Sequence, residues 1–251
     1  MNDALRAELD RWAAAGRVAS FWWRDDDAVA PGPALDRLFA AAGPIPLALA
    51  VVPMQAEPGL ARAIAAGGAE VAVLQHGHAH INHAVPTAKK AEFTAERAAD
   101  AMFAEVQTGR DRLAQMFPAA LVPVFVPPWN RCPPGLVSRL VECGHRAIST
   151  YGPRPVVQAA PGLLQVNTHV DPVVWRGARR FVGLDRLAEA LAGHLAARRQ
   201  GVADAAEPTG LLTHHLVHEP EDMAAIGRVV GEIAAHPAAR WLAAATLLEP
   251  A

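Results

Sequence analysis

Residues 71–83 have the sequence VAVLQHGHAHINH, in which a short apolar run leads directly into four histidines. The run 71–74 is typical of a buried β-strand. Neutral imidazole is the commonest protein ligand for zinc and similar metal ions. A strand that ends in a histidine cluster therefore predicts a sheet whose carboxyl edge carries a metal site.

A second polar stretch lies earlier in the chain, where the apolar run 18–23 is followed by Arg24, Asp25, Asp26 and Asp27. Adjacent residues at a strand end point to different sides, so only one or two of the three aspartates face a common point. A metal cation beside them would relieve the repulsion between their negative charges. These acids are the partners that we predict for the histidines.

The composition bounds the class of protein. The chain has 251 residues, 52% of them hydrophobic, and a net charge of −2. We predict one domain over residues 1–251, with an N-terminal helix in residues 1–16 packed on it. No basic stripe and no apolar run of membrane-spanning length occurs, so neither nucleic acid nor a membrane is an expected partner. The first residues lack a signal-peptide pattern, which predicts a cytoplasmic location.

Strands and helices alternate about seven times along the chain, which is typical of a parallel sheet with right-handed crossovers. We predict an α/β fold, a single distorted (β/α) barrel with about seven parallel strands. The first strand is expected to end at Trp23, and a long helix is expected over 91–116. Polar residues cluster where the predicted strands end, namely Asp25 and Asp26, 76–83, 127–131, Asp171 and His214. In parallel barrels this face carries the active site.

The histidine spacing leaves the ligand pair open. His76 and His80 are four residues apart, which suits a helical turn or a loop around an ion, whereas His76 and His78 are two apart, which suits a strand. An aspartate, two histidines and open positions for water are typical of a catalytic divalent metal site. A neighbouring carboxylate would act as base, and His214 or His215 would donate a proton from across the pocket.

The motifs Asp-Asp, His-x-x-x-His, Pro-Pro-Trp, Asp-x-x-x-Trp and Leu-x-His occur here in one order over roughly residues 18–220. In this order the chain resembles the polysaccharide deacetylases, which form carbohydrate esterase family four and share the NodB-homology domain. Each motif is weak alone, and the shared order makes the set specific. The resemblance implies a metal-dependent hydrolase of the deacetylase type, with zinc as the expected divalent cofactor and a carbohydrate or small N-acyl compound as substrate.

The resemblance also implies the residue roles. It assigns the base and the acid to Asp25 and His214, and the metal ligands to Asp26, His76 and His80. Because Asp27 stands where the family usually has glycine, a shift by one residue, to Asp26 as base and Asp27 as ligand, stays open. On this assignment, His78 and His83 line the pocket or contact the metal ligands, and they do not bind the ion themselves.

The third motif departs from the family. It usually includes an arginine shortly before a proline, which orients the base aspartate, and here Phe125 and Val126 occupy that neighbourhood. Arg131 or Arg24 is the substitute that the sequence offers. The residues predicted to bind substrate are Pro128, Trp129, Asn130, Arg131, Asp171 and Trp175. The chain has one tyrosine, which favours a small amide or N-acetyl sugar over a polymer.

Two other functions stay open. Another metal-dependent amidohydrolase would use a His-x-His pair, which His76 and His78 imitate, although such enzymes carry that pair on their first strand. A non-catalytic metal- or sugar-binding protein on a degenerate deacetylase scaffold is consistent with the missing arginine. The sequence predicts neither the substrate nor the oligomeric state.

Overall fold

A computed structural model describes residues 2–67 and 70–249 of the chain. Its helices are α1 Asp3–Ala14, α2 Pro33–Ala42, α3 Pro58–Ala66, α4 Ala99–Met116, α5 Pro134–Val137, α6 Leu184–Gln200 and α7 Pro220–Ala234. Its strands are β1 Ala19–Ala28, β2 Leu47–Val51, β3 Val71–His76, β4 Leu121–Val126, β5 Ala147–Ile148, β6 Gln158–Ala160, β7 Leu163–Gln165, β8 Val173–Val174, β9 Arg180–Phe181, β10 Thr209–Thr213 and β11 Ala239–Trp241. Residues 1 and 250–251, the ends of the predicted domain, lie outside the described residues.

The main sheet is a curled, mostly parallel half-barrel, which confirms the predicted α/β barrel class. Its strand order is β10-β1-β2-β3-β4-β5-β7-β6, and only the β6–β7 pair is antiparallel. That leaves seven parallel strands along this path, the number predicted, while β11 pairs in parallel with the start of β1. Strands β8 and β9 form a separate hairpin.

The two edges of the curled sheet approach each other beside β10. A parallel bridge joins Val170 to Leu211, and the amide of Leu212 donates to the carbonyl of Val170 at 2.8 Å. A Cβ atom on Gly210 would lie 2.6 Å from the Cα of Thr168, so a side chain here would hold the edges apart. Glycine therefore permits the close approach that brings β10 and its following loop over the pocket.

Side chains of β1 alternate between two environments. Phe21 and Trp23 pack among the helices, whereas Trp22 packs inside the half-barrel against Ala48 and Leu74. The alternation continues, because Arg24 pairs in register with the inward Ala48 and Asp25 with the outward Leu49. Neighbouring polar residues of this strand therefore face opposite sides of the sheet.

Helices cover the outer face of the sheet. The first helix, α1, packs beside α6, where the indole Nε1 of Trp12 donates to the carbonyl of Leu195 at 3.3 Å. Glu8, which is buried, accepts from the guanidinium of Arg199 at 2.7 Å. Helices α2 and α7 pack against each other on the same face. These layers leave the carboxyl end of the sheet uncovered.

Two predicted boundaries are wrong in ways that bear on the site. Strand β1 does not end at Trp23 but continues to Ala28, so the aspartates belong to the strand. The helix predicted over 91–116 begins at Ala99. Residues 91–98 form an irregular segment in which Glu92 is buried against the histidine loop.

Candidate active site

A cavity of about 510 Å³ opens at the carboxyl end of the parallel strands. Its lining comes from the ends of β1, β3 and β10 and from the loops after β3, β4, β7 and β8. The lining residues are Asp26, Asp27, His76, His80, Lys90, Trp129, Asn130, Arg131, Asp171, Trp175, Arg179, Leu212 and His214. Polar residues from distant parts of the chain therefore meet at one point, as the strand-end clustering predicted.

Three of these side chains form a cluster suited to a metal ion. One carboxylate oxygen of Asp27 lies 3.1 Å from Nε2 of His76 and 3.2 Å from Nε2 of His80. All three ligand atoms lie within 4.8 Å of one another, and no other such group of three occurs in the described part of the chain. The structure thus brings His76 and His80 together, with Asp27 and not Asp26 beside them.

Backbone geometry explains why Asp27 reaches the histidines. The β1–β2 register shifts between Asp25 and Ala28, and Asp27 has a φ of 70°, which is uncommon for residues other than glycine. This irregularity interrupts the strict alternation of the strand. Two consecutive aspartates, Asp26 and Asp27, consequently line the same pocket.

The histidine rings are oriented for ligation. Nδ1 of His76 donates to the carbonyl oxygen of Val126 at 3.0 Å, so Nε2 is the ring nitrogen that faces Asp27 and that a bound ion would use. Burial by itself favours neutral Asp27, but the hydrogen bond from His76 and the nearby imidazoles outweigh it, and the pKa of Asp27 is lowered far below its ordinary value. Burial, followed by the proximity of His76, lowers the pKa of His80. An anionic oxygen and a neutral imidazole suit a divalent ion.

The loop that carries His80 is held from beneath by Glu92. This buried carboxylate accepts from the amides of His78 at 3.0 Å and Ala79 at 2.7 Å. Gly77 has a φ of 59°, and a Cβ atom there would lie only 2.0 Å from the Glu92 carboxylate. Sequence reasoning missed Glu92, because it fell in a stretch expected to be helical.

Asp26 has a different partner. Its two oxygens accept from Nε and Nη2 of Arg24 at 2.8 and 3.0 Å, a bidentate pair. The same guanidinium donates to the hydroxyl of Ser149 at 2.6 Å, and it is fully buried. Arg24, one of the two substitutes proposed for the third-motif arginine, therefore fixes a carboxylate at the pocket wall. The other substitute, Arg131, donates instead to the carbonyl oxygen of Lys90.

Asp25 lies on the other side of the sheet and does not line the pocket. It is fully buried, accepts from the hydroxyl of Thr213 at 2.6 Å and from the amide of His215 at 2.9 Å, and pairs with the His215 imidazole. This placement disfavours the assignment of Asp25 as base and Asp26 as metal ligand. Strand alternation is the reason. Alternate residues of a strand point to the same side, so Asp25 lies on the helix-facing side with Trp23 and not on the inner side with Trp22.

His214 lines the pocket opposite the metal-type cluster. The edge of its ring meets the Trp175 indole at a centroid distance of 4.7 Å. Asp171 accepts from the indole Nε1 of Trp175 at 2.6 Å and from the amide of Val173 at 2.9 Å. Burial raises the pKa of Asp171, although the nearby His214 opposes that rise. His214, Asp171 and Trp175 thus lie together on one wall of the pocket.

The segment after β4 supplies the opposite wall. Trp129 and Asn130 both have positive φ values, 55° and 57°, a conformation that costs energy and commonly occurs at functional sites. The Trp129 ring lies 4.4 Å from the ring of His80. Pro128, predicted to bind substrate, is instead buried and does not line the pocket.

The remaining histidines of the cluster point elsewhere. His83 is exposed, and neither His78 nor His83 lines the pocket. The close pair is His76 and His80, so the geometry gives no support to a His76–His78 pair of the amidohydrolase kind. The positive φ of His80, 57°, turns the loop so that the second ring lies near the first, with their centroids 5.1 Å apart.

No protein-family model matches the chain, and no curated protein is significantly similar to it in sequence. Solved structures are nevertheless similar in fold. A protein from Mycobacterium smegmatis that is assigned as a polysaccharide deacetylase has a TM-score of 0.68 at 17% identity, over 91% of this chain and 87% of that one. The chain has the fold of the family four carbohydrate esterases.

Two further structures of this fold carry more specific descriptions. A peptidoglycan N-acetylglucosamine deacetylase has a TM-score of 0.58 at 14% identity, over 94% of each chain. A family four acetyl xylan esterase from Clostridium thermocellum, solved with a cobalt ion, has a TM-score of 0.52 at 14% identity, over 91% of this chain and 89% of that one. The predicted resemblance is therefore confirmed for the carbohydrate esterase fold.

The described residues 2–67 and 70–249 contain no helix of the length and apolar character needed to cross a bilayer. The predicted cytoplasmic location stays a prediction.

Proposed function

We propose that this protein is a metal-dependent hydrolase that cleaves the C–N bond of an N-acyl compound, most simply by removing an acetyl group. One observation carries the proposal: the Asp27, His76 and His80 cluster shares a pocket with an arginine-held carboxylate, Asp26, and with His214. Amide hydrolysis needs a proton acceptor for water and a proton donor for the departing nitrogen. The pocket offers a residue for each.

The donor set fits a divalent ion. One carboxylate oxygen and two imidazole nitrogens are a common protein contribution to catalytic zinc sites, and similar sites also accept cobalt and other first-row metals. We propose zinc, held by Asp27, His76 and His80. The chemistry that such an ion supplies when bound is polarisation of the amide carbonyl and a lowered pKa of water, toward ~7.

Asp26 is the proposed base. Its bidentate contact with Arg24 leaves lone pairs that face the cavity, and the buried guanidinium fixes the carboxylate in one orientation. This is the role that the missing third-motif arginine plays in the family that the chain resembles. The one-residue shift in the first motif, with Asp26 as base and Asp27 as ligand, is therefore the assignment that we adopt.

His214 is the proposed acid. It lies on the pocket wall after β10, with Asp171 and the indole of Trp175 beside it. Trp175 and Trp129 offer apolar walls for the acyl group, and Asn130 and Arg131 offer polar contacts for the rest of the substrate. These roles are the ones that the sequence assigned to these four residues.

The test measures acetate release from a panel of N-acetyl sugars and N-acetyl amines by metal-loaded protein. Asp26→Asn is expected to lower kcat by about 10²–10⁴-fold, the usual contribution of a general base. Because the ligands of the ion are unchanged, this variant is expected to keep its zinc content in elemental analysis. Arg186→Gln, a change on the exposed surface of α6, is the matched control and is expected to behave as the wild type.

The non-catalytic alternative predicts another result. If wild type and Asp26→Asn bind one ion per chain but neither releases acetate from any member of the panel, the hydrolase proposal is contradicted for these substrates. Protein that takes up no divalent ion on dialysis would contradict the metal site itself.

A further inference from the structure

The mouth of the pocket carries three cationic side chains from separate segments of the chain. Lys90 precedes the buried Glu92, Arg131 follows the strained Trp129–Asn130 turn, and Arg179 lies in the β8–β9 hairpin. Arg176 and Arg180 flank Arg179 in the same exposed hairpin. A cationic rim is unexpected in a chain whose net charge is −2.

These cations are not neutralised within the protein. In the described part of the chain, Lys90, Arg131 and Arg179 form no ion pair with a carboxylate. Several other arginines do so, with Asp26, Glu105, Asp100, Asp204 or Glu8 as their partners. Unpaired positive charge gathered at a concave site raises the local concentration of anions and speeds their association.

Two of the three cations are also held in place. Arg131 donates from Nη1 to the carbonyl oxygen of Lys90 at 2.7 Å, which links the loops that carry them. The Arg179 guanidinium lies over the Trp175 ring, 5.3 Å from its centroid. The positive groups are thereby set on two sides of the cavity, beside both of its aromatic walls.

The carboxylates of the pocket are held by other partners. Asp26 is paired with Arg24, and Asp27 belongs to the metal-type cluster. Asp171 is occupied by the Trp175 indole and the amide of Val173. The negative groups thus have partners in the interior, while the positive groups face the entrance.

We propose that the substrate carries an anionic group, a phosphate or a carboxylate, which the cationic rim of Lys90, Arg131 and Arg179 binds while the acyl amide lies deeper in the pocket. The inference rests on the proposed function for the identity of the deeper group. Charge-assisted contacts to oxyanions are stronger than contacts to neutral hydroxyls, and arginine suits both phosphate and carboxylate geometry. The rim therefore selects an anionic N-acyl compound over its neutral parent.

The test compares the binding of three related compounds to zinc-loaded Asp26→Asn protein by calorimetry. N-acetylglucosamine is the neutral probe, N-acetylglucosamine 6-phosphate carries the phosphate and N-acetylmuramic acid carries the carboxylate. At least one acid is expected to bind about tenfold or more tightly than the neutral probe at low ionic strength, and the preference is expected to shrink in about 0.5 M salt. The stronger of the two acids identifies which oxyanion the rim prefers.

Single substitutions test whether the three rim cations cause the tighter binding of acids. Lys90→Gln, Arg131→Gln and Arg179→Gln are each expected to weaken binding of the preferred acid about three- to tenfold. Lys90→Gln and Arg179→Gln are also expected to leave the neutral probe within about twofold of the wild type. Arg186→Gln is the matched control, because it removes an exposed cation away from the pocket.

Equal binding of the three compounds, or no binding of any of them, overturns the inference. So does a preference for acids that survives the triple substitution of Lys90, Arg131 and Arg179. Failure of the proposed function has a different outcome, in which the wild type prefers acids but releases acetate from none of them.

Discussion

Two acid–histidine clusters lie on opposite faces of β1, and they differ in access. Asp27 meets His76 and His80 inside the half-barrel, and its side chain is 35% exposed to the cavity. Asp25, two residues earlier, meets His215 between the sheet and the helices, where it is fully buried. The same residue types thus form an open cluster that can receive an ion and a closed pair that joins β1 to the end of β10.

The difference teaches that side-chain direction, more than residue type, separates the two roles. The closed pair satisfies Asp25 with protein donors alone, from Thr213 and the amide and imidazole of His215. Burial would lower the pKa of His215, but the charge of Asp25 and their hydrogen bond raise it above its ordinary value. Such a pair stabilises a fold locally and offers no free position to a ligand.

The largest effect is expected on zinc affinity, when the aspartate of each cluster is replaced separately. Asp27→Asn removes the anionic ligand, and its affinity for Zn²⁺ is expected to fall by more than about 100-fold, beyond the range typical of outer partners. Asp25→Asn is the matched control and is expected to stay within about tenfold of the wild type. Calorimetric titration of chelator-treated protein with Zn²⁺ measures both. A greater loss in Asp25→Asn than in Asp27→Asn would reverse our assignment.

The second effect concerns stability. Asp25→Ala leaves the buried His215 without its partner, and breaking a buried charge pair typically costs about 3–5 kcal/mol. Asp27→Ala removes contacts with His76 and His80 that solvent screens, because the Asp27 side chain is partly exposed, and it is expected to cost less than Asp25→Ala in the metal-free protein. Urea unfolding of both variants checks the contrast. Similar losses in the two variants would mean that the clusters do not differ in structural role.

A third test addresses the carboxylate between the clusters, Asp26. Arg24→Lys keeps the positive charge but loses the bidentate contact, so kcat is expected to fall about 10–100-fold, the range seen when an orienting partner is removed. Zinc content is expected to stay at one ion per chain. Measurement of kcat on the best substrate of the panel, with Arg186→Gln as the surface control, decides the point. An unchanged kcat would show that Arg24 does not orient the base.

The smallest effect comes from a buried histidine that has no acid partner. His145 is almost fully buried, neither ring nitrogen has a hydrogen-bond partner, and burial lowers its pKa to about 3. Below the unfolded pKa of ~6.5 the unfolded chain binds a proton that the folded chain does not, so stability falls as the pH drops from ~6.5 toward ~3. His215 has the opposite shift, which its acid partner causes.

His145→Phe is therefore expected to reduce the loss of unfolding free energy between pH 7 and pH 5 by about 2 kcal/mol. Urea unfolding at the two pH values gives this difference for the wild type and the variant. Other titrating groups contribute equally to both proteins, so the difference isolates His145. Equal pH dependence in the two proteins would contradict the neutral buried state of this residue.

Sequence patterns predicted the layout of the fold because helix and strand periods are local properties. They also predicted which strand ends meet, since parallel strands place their carboxyl ends on one face. His76, His80, His214, Asp171 and Trp175 reach the pocket for this reason. The resemblance to the deacetylases added the order of the motifs, and the fold comparison agrees with it.

The first aspartates could not be assigned in the same way. Their roles depend on a register shift in β1 and on the positive φ of Asp27. The local amino-acid sequence indicates neither of these features. The position of Asp25 alone was predictable. If the predicted strand is extended past Arg24, alternation from Trp23 places the Asp25 side chain on the side that faces the helices. The cationic rim was also not predicted, because Lys90 and Arg179 come from irregular segments whose positions only tertiary packing determines.

Glu92 gives the histidine loop a scaffold that does not depend on any ion. Its carboxylate holds the backbone of His78 and Ala79, and Gly77 leaves the space that this contact requires. In proteins whose sites form only around the ion, removal of the metal unfolds the chain. Here a chelator would remove an ion from the proposed metal site, and the histidine loop would keep its conformation. If the proposed metal site is filled, exchange of one divalent ion for another would need no refolding of this loop.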